Sequence, residues 1–284
     1  MKVSIIILNY NTKNLLKNCL VSLKGTRRLL TNEVIVVDNG SVDGSEKMIR
    51  KGFSWVKLIK NKNNLGFGKA NNIAAKKAKG EYFLFLNSDT KLNKNTITKS
   101  LHFMEANSNY DVLTCRLELG NGKLDFACHR GFPTPWASFC YFIGLEKLPF
   151  CQQLFGQYHQ TWKDFEKPHQ VDVISGAFFL IKKDVFKKLK GFDEEFFIYG
   201  EDIDLCYRLK QQNYQVGFYP QAKAIHYKKR SGRKKRSIRI RKKTKMYFYQ
   251  TMKLFYDKHY KNKYSGLIRY LVLLGIKVIS LFKN

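Results

Sequence analysis

Four runs of consecutive apolar residues come early in this 284-residue chain: VSIIILNYN (3–11), EVIVVDNGS (33–41), WVKLIKN (55–61) and EYFLFLNSD (81–89). They lack the polar–apolar alternation of a sheet that is wet on one face, so strands of this kind have to be covered on both faces. A segment with helical spacing follows each run, at 14–25, 45–52, 68–80 and 96–107, with Gly80 placed as the glycine that ends the third. Strand and helix in alternation predict an α/β fold with a mainly parallel central sheet, right-handed crossovers and helices on both faces. The first run is too short to span a bilayer and has no small-residue cleavage site, so it reads as a core strand.

Ligands of such sheets gather where the strands end. Here the strand ends read Asn9-Tyr10-Asn11, Asp38-Asn39-Gly40-Ser41, Asn63-Asn64-Leu65-Gly66 and Asn87-Ser88-Asp89. Any one of these is simply a turn, since Asn, Asp, Gly and Ser make turns. Four in succession predict one contiguous polar cleft.

The chain carries 52 Lys+Arg against 22 Asp+Glu, a formal charge of +30, which points to anionic partners: nucleotides, pyrophosphates, phospholipid head groups or nucleic acid. Against that background six of the 22 acids crowd into residues 193–204, at Asp193, Glu194, Glu195, Glu201, Asp202 and Asp204. Crowded carboxylates cost stability unless a cation, or a proton to be moved, makes use of them. In a helix starting near Glu201, Asp202 shares a face with Cys206 and Leu209 and points inward, while Asp204 pairs with Arg208 at the surface. The six cysteines show no CxxC spacing, which argues against a zinc module and for a reducing compartment.

Residues 120–170 lose the regularity and read as a variable insertion on the acceptor side. Residues 171–191 resume it with a strand, a close backbone approach at Gly176 and a helix, and YQVGFYP and KAIHY read as two further short strands. Residues 228–243 hold eleven Lys/Arg in sixteen positions, and 265–284 form an apolar stretch interrupted by Arg269 and Lys277. That pattern fits an interfacial helix better than a span. The expected organisation is one α/β domain over 1–227 and a basic, amphipathic helical tail over 228–284.

The motifs VSIIILNYN, VVDNGSVDGS, NNLGFGKANN, FLFLNSDT, SGAFFLIKKDVF and GFDEEFFIYGEDIDLCYRLK, in this order, resemble the family 2 nucleotide-sugar glycosyltransferases with the GT-A fold, closest to the bacterial rhamnosyltransferase-like group. The resemblance covers residues 1 to about 227. It implies an inverting transfer of a sugar from a UDP- or dTDP-sugar, rhamnose by subgroup likeness, to a glycan or lipid-linked acceptor in surface polysaccharide assembly. The place implied is peripheral, at the cytoplasmic face of the membrane.

By the same resemblance, Asp38 accepts from the N3–H of the base, and Asn9, Asn11, Asn39, Asn64, Gly66, Asn71 and Asn87 line the nucleotide. Asp89 holds a divalent cation, Mg²⁺ or Mn²⁺, on the diphosphate. The family often shows D-x-D where this chain has Asn87-Ser88-Asp89, so Asp89 is the one firm carboxylate ligand. His226 matches a metal- or phosphate-contacting position in some members, with a purely structural role as its rival, and Lys228, Lys229 and Arg230 follow it as candidate diphosphate clamps. Asp202 is the implied general base, with Glu201 beside it. Gly176, Asp193 and Glu194 belong to the sugar or acceptor pocket, with capping as the rival for the two acids. The alternatives are a nucleic-acid-binding basic protein, against which the acidic cluster and the missing helix-turn-helix, RRM and zinc patterns count, and a catalytically silent membrane-bound scaffold of the same fold.

Overall fold

The computed structural model describes residues 2–25, 32–228 and 238–282. In the N-terminal half, strands β1 (Val3–Asn9), β2 (Asn32–Asp38), β3 (Val56–Lys60) and β4 (Tyr82–Asn87) alternate with helices α1 (Lys13–Lys24), α2 (Ser45–Gly52), α3 (Phe67–Lys77) and, after the short strand β5 (Thr90–Leu92), α4 (Thr96–Ala106). The pairs β1–β2, β1–β4 and β2–β3 are all parallel, as the apolar runs require. Ile5, Ile6 and Ile7 point alternately to the two faces and each is 0% exposed, so both faces are covered. Gly80 does not end α3. The helix stops at Lys77 with extended Ala78 after it, and a Cβ on Gly80 would lie 2.4 Å from the Ser4 amide nitrogen. The glycine is there because the chain passes tightly over the start of β1.

Beyond β4 the sheet is mixed. Its order is β3-β2-β1-β4-β8-β6-β9-β5, where β6 is Val112–Leu119, β8 Phe178–Lys182 and β9 Val216–His226; β7 (His169–Gln170) pairs off this path with β9. Strand β8 runs antiparallel to both β4 and β6, β6 and β9 are parallel, and β5 and β7 are antiparallel to β9. The two strands expected at YQVGFYP and KAIHY are one strand, β9, whose pairing register slips opposite Cys115/Arg116. The apparent break was the bulge.

The remaining helices are α5 (Pro135–Ile143), α6 (Gln152–Phe155), α7 (Lys183–Lys188), α8 (Glu201–Gln211), α9 (Ile238–His259) and α10 (Gly266–Phe282). A small apolar cluster of Phe196, Phe255, Tyr256 and Tyr260 seats α9 on the loop before α8, and Val272 of α10 packs against it. Asp204 is not a surface residue. It is 1% exposed, and its carboxylate takes a 2.7 Å contact from Arg208 and a 2.8 Å contact from His259 of α9. Arg208 also donates to the Leu189 and Gly191 carbonyls, closing the end of α7. Among the described residues no helix is long and apolar enough to cross a membrane. Most of the basic run, Lys229 and Arg230 included, lies outside the described residues.

Candidate active site

The parallel registers align Asn9 with Asp38, Asp38 with Lys60 and Leu8 with Asn87, so the carboxyl ends of β1 to β4 finish level. One hydrogen-bonded network joins them. Ser88 and Thr12 share a 2.8 Å hydroxyl contact, and Thr12 donates to the Asn9 side chain at 2.7 Å. The Asn9 amide donates to Asp38 at 2.9 Å, and the Ser41 N–H caps the other Asp38 oxygen at 2.8 Å. Asn11, at φ 54°, accepts from the Val42 N–H and donates its own N–H to Ser41.

Asn39 ties this half to the next loop, donating to Asn64 and the Gly66 carbonyl and accepting from Asn61 and the Leu65 N–H. Asp38 and Asn39 are each 1% exposed. Their immediate work is therefore to fix the walls of the cleft. Asn71 turns its amide back to the Phe67 carbonyl of its own helix.

Asp89 lies just past β4 with its side chain 14% exposed, and its Oδ1 is 3.2 Å from His226 Nε2. His226 Nδ1 in turn meets Asp125 Oδ2 at 2.7 Å, and the other Asp125 oxygen takes Lys228 at 2.9 Å. Burial works against a charge on His226, but its hydrogen bonds to Asp125 and Asp89 prevail and push its pKa up to about 9. Asp125 is held well below the usual carboxylate range despite its burial, because His226 and Lys228 stabilise the anion. Among the described residues no three His, Cys, Asp or Glu side chains are arranged to hold a metal ion. The donor chemistry still suits a divalent cation of modest affinity: one carboxylate oxygen and one imidazole nitrogen at ligand-to-ligand spacing, the imidazole oriented through its far nitrogen by a carboxylate. Such an ion keeps its other positions for water and phosphate oxygens.

Asp202 and Glu201 open α8 after Gly200, whose φ of 79° suits glycine. Arg130 Nη2 donates to Asp202 Oδ2 at 3.0 Å, and both side chains are largely covered. Asp202 is the more exposed of the two acids, and Glu201 is the one that points inward, 6% exposed with Oε2 lacking any hydrogen-bond partner. Burial, and then repulsion from Asp202, push the Glu201 carboxyl well above its ordinary value of 4.5, toward the neutral acid.

Asp193 and Glu194 have structural partners. Asp193 caps the Glu195 N–H and pairs with Lys258 of α9, while Glu194 accepts from Asn72. Asn72 also bonds both backbone groups of Phe192. Gly66 and Gly176 have packing reasons: a Cβ on Gly66 would meet the Phe197 carbonyl at 2.5 Å, and one on Gly176 the Phe67 ring at 2.7 Å.

Sequence reasoning missed Asp125 and Arg130. They flank one 3-10 turn, Phe126–Cys128, inside the stretch read as a variable insertion. Asp125 at its start meets the Asp89–His226 pair, and Arg130 just past its end meets Asp202. The only local signal was Asp125 as the cap of a turn, through its bond from the Ala127 N–H.

Residues 4–190 match the family model described as glycosyl transferase family 2, and residues 156–230 match one described as the N-terminal domain of galactosyltransferase. The chain belongs to glycosyl transferase family 2. It is 30% identical over 227 residues, 78% of its length, to the low-salt glycan biosynthesis hexosyltransferase Agl10 of Haloferax volcanii, and 29% identical over 171 residues, 57% of its length, to the rhamnosyltransferase WbbL of Escherichia coli. It spans 66% and 61% of those relatives' own lengths. The solved mannosyltransferase PcManGT from Pyrobaculum calidifontis, in complex with GDP-Man and Mn²⁺, matches with a TM-score of 0.60 over 100% of this chain and 70% of its own, at 15% identity. At that identity the likeness speaks for the fold, which is the GT-A type.

Proposed function

We propose that this chain is an inverting, metal-dependent glycosyltransferase. It moves a sugar, rhamnose by its likeness to WbbL, from a dTDP- or UDP-sugar to a glycan or lipid-linked acceptor during surface polysaccharide assembly. The observation that carries this reading is the 125–130 segment, which ties the Asp89–His226 corner to Asp202 through Asp125 and Arg130.

Asp89 and His226 would hold the divalent cation, which when bound neutralises the charge that builds on the departing diphosphate. Asp38, Asn9, Asn11, Asn39, Asn64 and Asn87 form the floor and rim on which the nucleoside rests. Asp38, 1% exposed with both oxygens bonded inside the protein, supports that floor from beneath. Asp202 accepts the proton of the acceptor hydroxyl as that oxygen bonds to the anomeric carbon. The bond from that carbon to the diphosphate oxygen breaks on the opposite face, so the configuration inverts. Arg130 holds Asp202 Oδ2, and the Glu201 carboxyl beside it is pushed toward its neutral form.

Outside the cleft, Leu267, Tyr270, Leu271, Leu274 and Val278 make an exposed apolar stripe along α10, each more than 40% exposed. With the basic run this stripe suits the head-group region of an anionic leaflet, where each Lys or Arg contributes on the order of 1 kcal/mol. The enzyme would sit peripherally on the cytoplasmic face of the cell membrane. The test of the whole reading is a thermal-shift panel of nucleotide-sugars, each with and without Mn²⁺. A dTDP- or UDP-sugar should raise the melting temperature more with the metal than without it. A response to duplex DNA alone would overturn the reading.

A further inference from the structure

The hairpin that contains α5 and α6 is built inside out. Helix α5 turns the small residues Ala137 and Cys140 inward, at 1% and 0% exposed, and sends Trp136, Phe139 and Ile143 outward at 41%, 52% and 56%. A helix of a globular domain normally buries its largest apolar side chains. Phe150 and Leu154 follow at 60% and 49% exposed. The surface is continuous, since the Trp136 ring lies 5.9 Å from that of Phe139 and 6.2 Å from that of Phe155. Trp136 Nε1 already donates to the Leu154 carbonyl at 2.9 Å, so the ring can leave water without stranding its polar group. Across residues 132–157 the ionisable charges are Glu146 and Lys147, and Glu146 is turned in against His159 at 3.0 Å. An apolar face free of exposed acid, on a chain of net charge +30, complements an anionic lipid surface.

We propose that this outward face of the hairpin is a second bilayer contact, seated at the boundary between head groups and acyl chains. The inference rests on the membrane-surface reading above and extends it from the tail to the active site. The hairpin stands on a narrow neck, closed by the Gly131 N–H donating to the Tyr158 carbonyl, next to Arg130 and its partner Asp202. Phe132 at the neck, Phe255 of α9 and Tyr260 just past its end all pack on the one side chain of Tyr207, so hairpin and tail share an anchor. A hairpin lodged in the leaflet places the base corner at the lipid surface, where an acceptor hydroxyl carried on a lipid pyrophosphate stands.

The test uses the full chain with Trp55→Phe and Trp162→Phe, which leaves Trp136 as the sole indole. Vesicles of phosphatidylglycerol and phosphatidylcholine carrying brominated acyl chains should blue-shift and quench its emission. Phe139→Ser with Ile143→Ser should weaken partition about tenfold while leaving the melting temperature in place. Co-sedimentation with vesicles but no quenching of Trp136 would overturn the hairpin contact and leave the tail reading standing. No co-sedimentation at all would overturn both. Emission that shifts with protein concentration in the absence of lipid would assign the face to a second copy of this chain instead, and overturn the proposal equally.

Discussion

The two acidic corners of the cleft solve the same electrostatic problem in opposite ways. At the Asp89 corner two carboxylates flank one imidazole, and that imidazole carries the charge-balancing proton. At the Asp202 corner two carboxyl groups lie beside one guanidinium, and the surplus negative charge is eased by pushing Glu201 toward its neutral form. A proton on histidine can be exchanged for a metal ion, whereas a guanidinium cannot be deprotonated in a protein. The first corner is thus open to a cation, and the second has its cation permanently installed. The contrast teaches that crowded acids are not one kind of site: the counter-charge beside them decides whether they hold a metal or a mobile proton.

The largest effect expected from breaking this contrast is at Asp202. Asp202→Asn should reduce sugar transfer by roughly 10²- to 10⁴-fold, the span typical of a lost general base, while Mn²⁺ binding stays intact. Release of nucleoside diphosphate and Mn²⁺ titration, read side by side, check both halves. Unchanged turnover would remove the assignment of the base. Asp125→Asn acts on the other corner, where His226 loses the carboxylate behind it. Mn²⁺ affinity should fall by roughly 10- to 100-fold in a calorimetric titration, the usual cost of losing such a supporting group.

Arg130→Gln should lower turnover by about tenfold, as expected for a lost charge-assisted hydrogen bond, with partial recovery in Arg130→Lys and no change in metal affinity. A fall in metal affinity would mean that the two corners are one electrostatic unit after all. The smallest effect is at Glu201. Because its carboxyl is pushed toward the neutral form, Glu201→Gln should keep most of the activity. Between its ordinary value of 4.5 and its raised folded value, the folded chain holds a proton that the unfolded chain has released, so stability falls as pH rises through that window. The glutamine variant should lose that slope and melt higher than the native chain at neutral pH, by melting curves taken across pH. A native-like slope in the variant would return Glu201 to the ionised state.

The parallel half of the fold was legible because it is local. Apolar runs covered on both faces, followed by amphipathic helices, specify strand, helix and parallel pairing with little help from distant residues. Strand β9 was read as two pieces, because a bulge breaks the periodicity that sequence reading depends on. Strand β6 was not read as a strand. The paired acids of α8 were visible as an anomaly in a basic chain, but their depth was not: helical spacing aimed Asp202 inward, whereas Glu201 and Asp204 are the buried ones. The reason is the docking of α9, which brings His259 over Asp204 from 55 residues away.

Read as a string, then, the chain already specified a mainly parallel α/β half, with a polar row at its strand ends and a crowd of acids at residues 193–204 of a basic chain. Those features follow from periodicity and composition, which act over a few residues at a time. The assignment of charges needed the folded chain. Arg130 reaches Asp202 across 72 positions and His226 reaches Asp125 across 101, and both partners come from a stretch without period. Coulomb energy and desolvation depend on distance in space and on burial, and neither is written in the order of the residues.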